Sequence, residues 1–248
     1  MSQLVRDSRA QTTTRRHRPG SIVAQAISAQ AATTTTAPST WFEKISCRMT
    51  PHEWRRRLVH MTPGLLASTL PLLPHTDPLA WYSQAFLVVV ICATALYSIT
   101  RARMFERQGQ GGWSVSVLSY AMIALGLLLA FPGQPEIGMS VTMIIAFGDG
   151  SATMAGMIFR GPKLFWNRDK SWSGLAAFML CAGPLATFIY WAEARPGVSF
   201  GLAFCCVAPA VAVAAIAESL PVRLNDNIRV GVTAGLTILL THAMFVGY

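Results

Sequence analysis

The chain has 248 residues, of which 52% are hydrophobic and only 12% are charged. This balance excludes an ordinary soluble domain, in which about 25% of the residues carry charge. A formal net charge of +9 would suit a nucleic-acid partner in a soluble protein. Here the cations are sorted by loop, as membrane topology requires, so we expect a lipid bilayer as the partner and no nucleic acid.

Residues 1–40 form a basic tail rich in Ser, Thr and Ala, with Asp7 as its only acid and with no Phe, Trp or Tyr. Such a segment cannot build a hydrophobic core, and we predict that it is disordered. Its composition resembles an organellar transit peptide; the alternative is a cytoplasmic tail attracted to anionic lipid. Residues 41–248 are then the membrane-embedded domain.

Seven apolar stretches follow the tail, each about long enough for a helix to cross a hydrocarbon core roughly 30 Å thick. The first is interrupted by Pro63, Pro71 and Pro74, so it could be a tilted or re-entrant element. The predicted fold is all-α, a polytopic integral membrane bundle of about seven transmembrane helices. The stretches are residues 58–74, 79–99, 113–131, 137–159, 174–192, 198–217 and 229–247.

Basic residues predict the orientation of this bundle. They cluster before the first stretch and after the second, fourth and sixth, whereas the alternate connections hold only Arg195. The positive-inside rule then predicts a cytosolic N-terminus and a C-terminus on the far side. The clustered cations are Arg55, Arg56, Arg57, Arg101, Arg103, Arg107, Arg160, Lys163, Arg168, Lys170, Arg223 and Arg229.

A first group of polar residues surrounds Asp149, which lies near the cytosolic end of the fourth stretch. An ionisable group at this depth is costly and indicates a functional site. Gly148 and Gly150 flank it, and we expect them to let the backbone depart from helical geometry. A carboxylate followed by the cations Lys163, Arg168 and Lys170 suits a metal–phosphate site.

The alternative for these cations is a topological anchor, with the glycines serving helix packing. A Walker A loop is excluded, because Pro162 stands between Gly161 and Lys163.

A second group closes the sixth stretch in "ESLPVRLNDN". Glu218 follows an apolar run that contains no cation, and Pro221 ends the helix. Asn225, Asp226 and Asn227 come next, on the same side as Asp149. They could be metal ligands or simply a helix cap.

A third group is "EWRRRLVHMTPG", in which Arg56 and Arg57 lie four and three residues before His60 and so share a helix face with it. That face could contact phosphate. The alternative is a basic stop signal at the membrane boundary with a structural histidine.

Together these segments resemble the membrane-embedded CTP-dependent polyprenol and lipid kinases, a family that includes phytol, farnesol and dolichol kinases and the fungal diacylglycerol kinase. The resemblance covers about residues 53–240 and is strongest to the phytol and farnesol kinase branch, although Asn225 stands where that branch usually has an acid. The matching residues are Arg56, Arg57, His60 and Gly64; Gly148, Asp149, Ala152, Gly156, Gly161, Lys163, Lys170, Ser171 and Gly174; and Glu218, Ser219, Asp226 and Asn227.

The resemblance implies transfer of the γ-phosphoryl group of CTP, or of another nucleotide, to an isoprenoid alcohol such as phytol, farnesol or a polyprenol. It implies a Mg²⁺ site and a catalytic group that includes Lys170, with Asp149 accepting the proton of the alcohol. The implied metal ligands are Asp149, Glu218 and Asp226, with Asp149 and Glu218 also catalytic. The implied nucleotide-binding residues are Arg56, His60, Lys163, Arg168, Lys170, Ser171 and Asn227.

Other functions stay open at this point. A CTP-dependent diacylglycerol kinase or a cytidylyltransferase making a CDP-lipid would use similar residues. An ion-coupled transporter also places carboxylates in broken helices, but here the acids lie toward one face beside a basic loop. The expected location is a bacterial inner membrane, or an organellar membrane such as that of a plastid if the tail is a transit peptide.

Overall fold

The computed structural model describes residues 48–102, 112–194 and 197–247. The chain divides into two units, residues 1–44 and 45–248, and every described residue belongs to the second. The predicted disordered tail and the cations Arg103, Arg107 and Arg195 lie outside the described residues.

The described part of the chain is helical, as predicted. Eight α-helices follow one another, with a short 3₁₀ helix after the first and a π-helical turn joining the fourth to the fifth. Their bounds are α1 Pro51–Ala67, the 3₁₀ helix Leu70–Leu72, α2 Trp81–Thr100, α3 Trp113–Ala130, α4 Pro135–Met143, the π-helical turn Ile144–Asp149, α5 Gly150–Phe159, α6 Trp172–Ala194, α7 Phe200–Ser219 and α8 Asp226–Phe245.

Six segments are long and apolar enough to cross a membrane, which confirms the predicted membrane bundle. The helices α4 and α5 count as one of them, because the π-helical turn makes residues 135–159 continuous. The six are Trp81–Thr100, Trp113–Ala130, Pro135–Phe159, Trp172–Ala194, Phe200–Ser219 and Asp226–Phe245.

The first predicted span differs from the other six. Its helix begins earlier, at Pro51 after the N-cap Thr50, and it ends at Ala67, so it includes the polar segment with the three arginines. Together with the segment that follows it, this helix connects the two ends of the bundle. Its 17 residues rise about 25 Å: Arg57 lies 3.1 Å from Asp149 at one end, and the chain after the helix places His75 2.8 Å from Glu193 at the other.

The span formed by α4, the π-helical turn and α5 is central to the bundle, and α2 is peripheral. In the apolar window of the central span 61% of the residues are buried, against none in α2. Small residues, chiefly alanines of α7 such as Ala203, Ala210 and Ala214, are fully buried where α7 meets its neighbours. Small side chains allow close helix contact in a bilayer, where lipid tails solvate apolar surface as well as protein does.

Candidate active site

The backbone around Asp149 forms a π-helical turn. The residues Ile144–Asp149 carry this wider helix, and the chain returns to α-helical geometry at Gly150, whose φ and ψ are −57° and −53°. The backbone next to Gly148 and Gly150 thus departs from α-helical geometry, but the helix widens and continues through them. Single π-helical turns inside α-helices occur often at functional sites.

Close packing explains the glycines. A Cβ atom on Gly148 would lie 2.5 Å from Cζ of Phe178 in α6, and one on Gly64 in α1 would lie 2.7 Å from Cβ of Ala146. Both distances are far below van der Waals contact, so a larger residue would push these helices apart. The absence of side chains lets α1 and α6 approach the π-helical turn and fixes the position of Asp149.

Three carboxylates that are distant in sequence meet at this end of the bundle. Asp149 ends the π-helical turn, Glu218 lies in the last turn of α7 and Asp226 begins α8. One oxygen from each lies within 4.8 Å of the other two. We name this group the carboxylate cluster. The set predicted as metal ligands from sequence is thus brought together, and oxygen donors at this spacing suit Mg²⁺.

Cations pair with the carboxylate cluster. Arg57 donates a hydrogen bond of 3.1 Å to Oδ2 of Asp149, and Lys170 forms an ion pair with Glu218 and lies 3.9 Å from Asp226. Burial alone would lower the pKa of Lys170, but the carboxylates of Glu218 and its two companions outweigh burial and raise the pKa above its usual value. Lys170 is therefore charged at neutral pH.

The connection between α5 and α6, residues 160–171, holds Lys170 in place. Arg160 adopts a left-handed conformation with φ of 47°, which ends α5. Trp166 and Asn167 each donate a hydrogen bond of 3.0 Å to Ser219, to its hydroxyl and its carbonyl respectively. The hydroxyl of Ser171 accepts from the backbone N–H of Gly174 at 3.2 Å and so caps α6. These bonds attach the loop to the end of α7, beside Glu218.

Arg229 is a site residue that the sequence analysis treated only as a topological cation. It is 9% exposed. Its guanidinium donates to the carbonyls of Glu218 and Leu220 at 3.0 Å and to the carboxylate of Asp226 at 2.5 Å. It therefore joins the end of α7 to the start of α8. The spacing of Asp226 and Arg229, three apart on one helix, was the available signal.

The remaining predicted residues take different places. Lys163, Ser171 and Asn227 line the cavity around the carboxylate cluster, whereas Arg168 is exposed and lies outside that lining. Asn225 caps α8, because its side chain accepts a hydrogen bond of 2.9 Å from the N–H of Asn227. The NDN segment therefore has two parts. Asn225 is a helix cap, and Asp226 belongs to the carboxylate cluster.

Two cavities adjoin each other beside the carboxylate cluster. The first has a volume of about 600 Å³ and holds the cluster with Arg56, Arg57 and Lys170. The second has a volume of about 370 Å³ and is lined by apolar side chains of α1 to α4. His60, Trp113 and Ser116 line both. We name these three residues the junction.

His60 is the junction residue that forms an ion-pair contact with the carboxylate cluster. Its Nε2 is 3.3 Å from Oδ2 of Asp149 but has no hydrogen-bond partner among the described residues. Its ring meets that of Tyr120 edge to face, with the centroids 5.7 Å apart. Tyr120 in turn donates a hydrogen bond of 2.7 Å to the carbonyl of Thr142. His60 is thus held by this ring contact and by a hydrogen bond with the backbone of Ile145, and its Nε2 faces the Asp149 carboxylate.

Comparison with known proteins links this arrangement to one family. The chain is 26% identical to "Probable phytol kinase 1, chloroplastic" of Oryza sativa subsp. japonica over 220 residues, which cover 81% of this chain and 67% of the relative. It is 26% identical to "Probable phytol kinase, chloroplastic" of Zea mays over 213 residues, 75% of this chain and 65% of the relative.

A third relative, "Probable phytol kinase, chloroplastic" of Triticum aestivum, is 31% identical over 213 residues, 78% of this chain and 69% of the relative. The chain spans about two thirds of the length of these relatives. No protein-family model matches the chain, and no solved structure matches it. By its identity to the wheat relative and the length that the match covers, the chain belongs to the phytol kinase family.

Proposed function

We propose that the protein is a membrane-embedded kinase that transfers the γ-phosphoryl group of CTP to an isoprenoid alcohol such as phytol. One observation carries the proposal: a polar cavity with three carboxylates and several cations meets an apolar cavity at the junction of His60, Trp113 and Ser116. A water-soluble phosphate donor and a lipid acceptor could meet at such a boundary. The phytol kinase relatives support the same reaction class.

The polar cavity is the proposed site of the nucleotide. Its volume of about 600 Å³ is within the range of small-molecule sites. Lys163, Lys170, Arg56 and Arg57 supply positive charge for a triphosphate. Arg168 is exposed on the same loop, so we expect it to contribute less than Lys170.

The carboxylate cluster is the proposed metal site. Asp149, Glu218 and Asp226 would hold Mg²⁺, with the phosphate oxygens of the nucleotide completing its coordination. When bound, the metal would neutralise charge that develops on the transferred phosphoryl group. Arg57 and Lys170 already pair with this cluster, so a bound metal–nucleotide would release them to contact phosphate.

The apolar cavity is the proposed site of the isoprenoid chain. Its volume of about 370 Å³ also falls within the range of ligand sites. Its walls are apolar side chains such as Val90 of α2, Leu127 of α3 and Met139 of α4. The hydroxyl of the alcohol would lie at the junction, next to His60 and Asp149.

Asp149 is the proposed proton acceptor. The alcohol oxygen attacks the γ-phosphorus, its proton passes to the Asp149 carboxylate, and the bond to the bridging β-phosphate oxygen breaks to release CDP. His60 would position the hydroxyl through its Nε2, which lies 3.3 Å from Oδ2 of Asp149. Phosphoryl transfer needs alignment and charge neutralisation more than covalent chemistry, and these groups provide both.

The decisive experiment uses purified full-length protein in detergent with labelled CTP and added phytol, farnesol, dolichol or diacylglycerol. We expect an alcohol monophosphate and CDP, with phytol or farnesol as the better acceptor. A parallel series with ATP, GTP and UTP identifies the donor. Release of pyrophosphate would indicate a cytidylyltransferase instead, and no transfer to any acceptor would refute the kinase.

A variant pair tests the acceptor cavity. Ala124 of α3 lines the apolar cavity, so Ala124→Phe should fill part of it. We expect the KM for phytol to rise about tenfold with the KM for CTP unchanged, since about 1.4 kcal/mol of lost binding corresponds to that factor. Leu129→Phe on the exposed face of the same helix is the control. An unchanged KM for phytol in Ala124→Phe would place the acceptor elsewhere.

Location is a separate proposal. The relatives are named as chloroplastic proteins, and residues 1–40 have the composition of a transit peptide. We propose a plastid membrane. Residues 1–40 fused to a fluorescent protein should enter plastids in leaf cells, and a cytosolic signal would refute the targeting role of the tail.

A further inference from the structure

A second cluster of metal-binding side chains lies at the end of the bundle opposite the carboxylate cluster. His75 and Asp77 come from the segment between the 3₁₀ helix and α2, and Glu193 comes from the last turn of α6. One ligand atom from each lies within 4.8 Å of the other two. The proposed kinase reaction uses none of these residues.

The imidazole of His75 is oriented as in many metal sites. Its Nδ1 lies 2.8 Å from the carbonyl of Leu73, so Nδ1 carries a proton and donates it. Nε2 then points toward the carboxylates, 2.8 Å from Oε1 of Glu193 and 4.0 Å from Oδ1 of Asp77. A histidine ligand usually donates its other N–H to a carbonyl or carboxylate in this way.

Glu193 provides an independent observation. Its side chain is only 1% exposed, and one carboxylate oxygen contacts His75 while the other, Oε2, is buried with no hydrogen-bond partner among the described residues. A buried carboxylate oxygen without a partner is costly. Glu136 at the start of α4 lies near enough to Asp77 and Glu193 to interact with both electrostatically.

We propose that His75, Asp77 and Glu193 bind a divalent transition-metal ion, with Zn²⁺ the best match. Imidazole nitrogen and carboxylate oxygen are both zinc ligands, and water would be the fourth ligand beside these three side chains. Tetrahedral bonds of about 2.0 Å require ligand atoms about 3.3 Å apart, which lies between the 2.8 Å from His75 to Glu193 and the 4.0 Å from His75 to Asp77. Asp77 is 54% exposed and can rotate to close the set. The metal would give Oε2 of Glu193 a partner and join the segment after α1 to the end of α6.

The test is Zn²⁺ binding by purified full-length protein in detergent, with excess Mg²⁺ present to occupy the carboxylate cluster. After gel filtration we expect one zinc per chain in the wild type. Glu193→Gln and Asp77→Asn should each weaken binding by more than about tenfold, since even indirect partners of a metal cost 10- to 100-fold. Asp149→Asn at the opposite end should retain the zinc.

Stability supplies a second readout, because a ligand that binds only the folded state raises the melting temperature. Zn²⁺ should raise the melting temperature of the wild type and of Asp149→Asn but not of Glu193→Gln. Asp77 is exposed, so Asp77→Asn decides the question if Glu193→Gln does not fold. Absence of zinc from the wild type, or equal zinc in wild type and Asp77→Asn, would show that the cluster is an ion pair only. Kinase activity enters neither readout.

Discussion

Replacing Asp149 by asparagine separates catalysis from folding at the proposed site. The substitution keeps the size of the side chain and removes its negative charge. Taken as an isolated intramembrane charge, Asp149 would be removable without loss of stability. Its 3.1 Å hydrogen bond with Arg57 changes that expectation, because the Arg57 side chain is only 11% exposed and would lose its carboxylate partner.

The size of the effect on folding follows from this geometry. Removing one partner of a buried ion pair typically costs about 3–5 kcal/mol. Two features reduce this loss of stability. Glu218 and Asp226 stay within 4.8 Å of the position of the lost carboxylate, and the polar cavity admits water. We expect about 1–3 kcal/mol, the value of one charged hydrogen bond. The melting temperature should then fall by roughly 2–12 °C.

The effect on catalysis should be larger and distinct. Loss of a proton acceptor typically costs at least about a hundredfold in rate, equal to about 2.7 kcal/mol. The assay measures alcohol phosphate formed from labelled CTP, beside the melting temperature of the same preparation. Asp77→Asn removes the same charge at the other end of the bundle and should keep the wild-type rate.

A double variant tests the reasoning further. In Arg57→Gln with Asp149→Asn both partners are neutral, so the melting temperature should recover toward that of the wild type while activity stays absent. Turnover by Asp149→Asn within about threefold of the wild type would refute the assignment of Asp149 as proton acceptor. A double variant less stable than the single one would refute the argument from the buried pair.

The other predictions concern packing, positioning, phosphate binding and the metal. Gly148→Ala should lower stability by about 1–3 kcal/mol because its Cβ would overlap α6, whereas Gly183→Ala, with open space around it, should be neutral in the same thermal assay. Arg229→Gln should lower both melting temperature and activity, since it breaks the bonds between α7 and α8; the exposed Arg223→Gln should do neither. Lys170→Gln should raise the KM for CTP about tenfold or more. That effect should not vary between about pH 6 and pH 9: the pKa of Lys170 is raised above its usual value of about 10.4, so its charge is lost only as pH rises past that value. Chelating divalent cations should abolish phosphoryl transfer and added Mg²⁺ should restore it, and activity in excess chelator would contradict the metal requirement.

Sequence alone determined the class of the fold and the end at which the site lies. Apolar runs of about 20 residues cross a bilayer as helices, because their backbone N–H and C=O groups must form hydrogen bonds within the same segment. Acids rarely persist in such runs without function, which singled out Asp149 and Glu218. These are local properties, readable without knowing which helices touch.

The first helix shows where local pattern was insufficient. Its prolines made the predicted span look short and interrupted, so that it could be a tilted or re-entrant element. In the folded protein Arg57 pairs with Asp149, and the chain after α1 reaches Glu193 at the opposite end. Pairing between helices is a tertiary property, so composition could not show that α1 and the segment after it connect the two ends of the bundle.

Tertiary structure also decided how the site is assembled. Asp149, Glu218 and Asp226 come from three helix ends and meet at one end of the bundle, where glycines also let α1 and α6 approach the π-helical turn. The sequence identified these three acids. It could not show the distances between them, the hydrogen bonds of Arg229 or the place where the two cavities meet at His60. Each depends on which helix faces which, and lipid-facing and buried apolar residues look alike in a sequence because the bilayer solvates both.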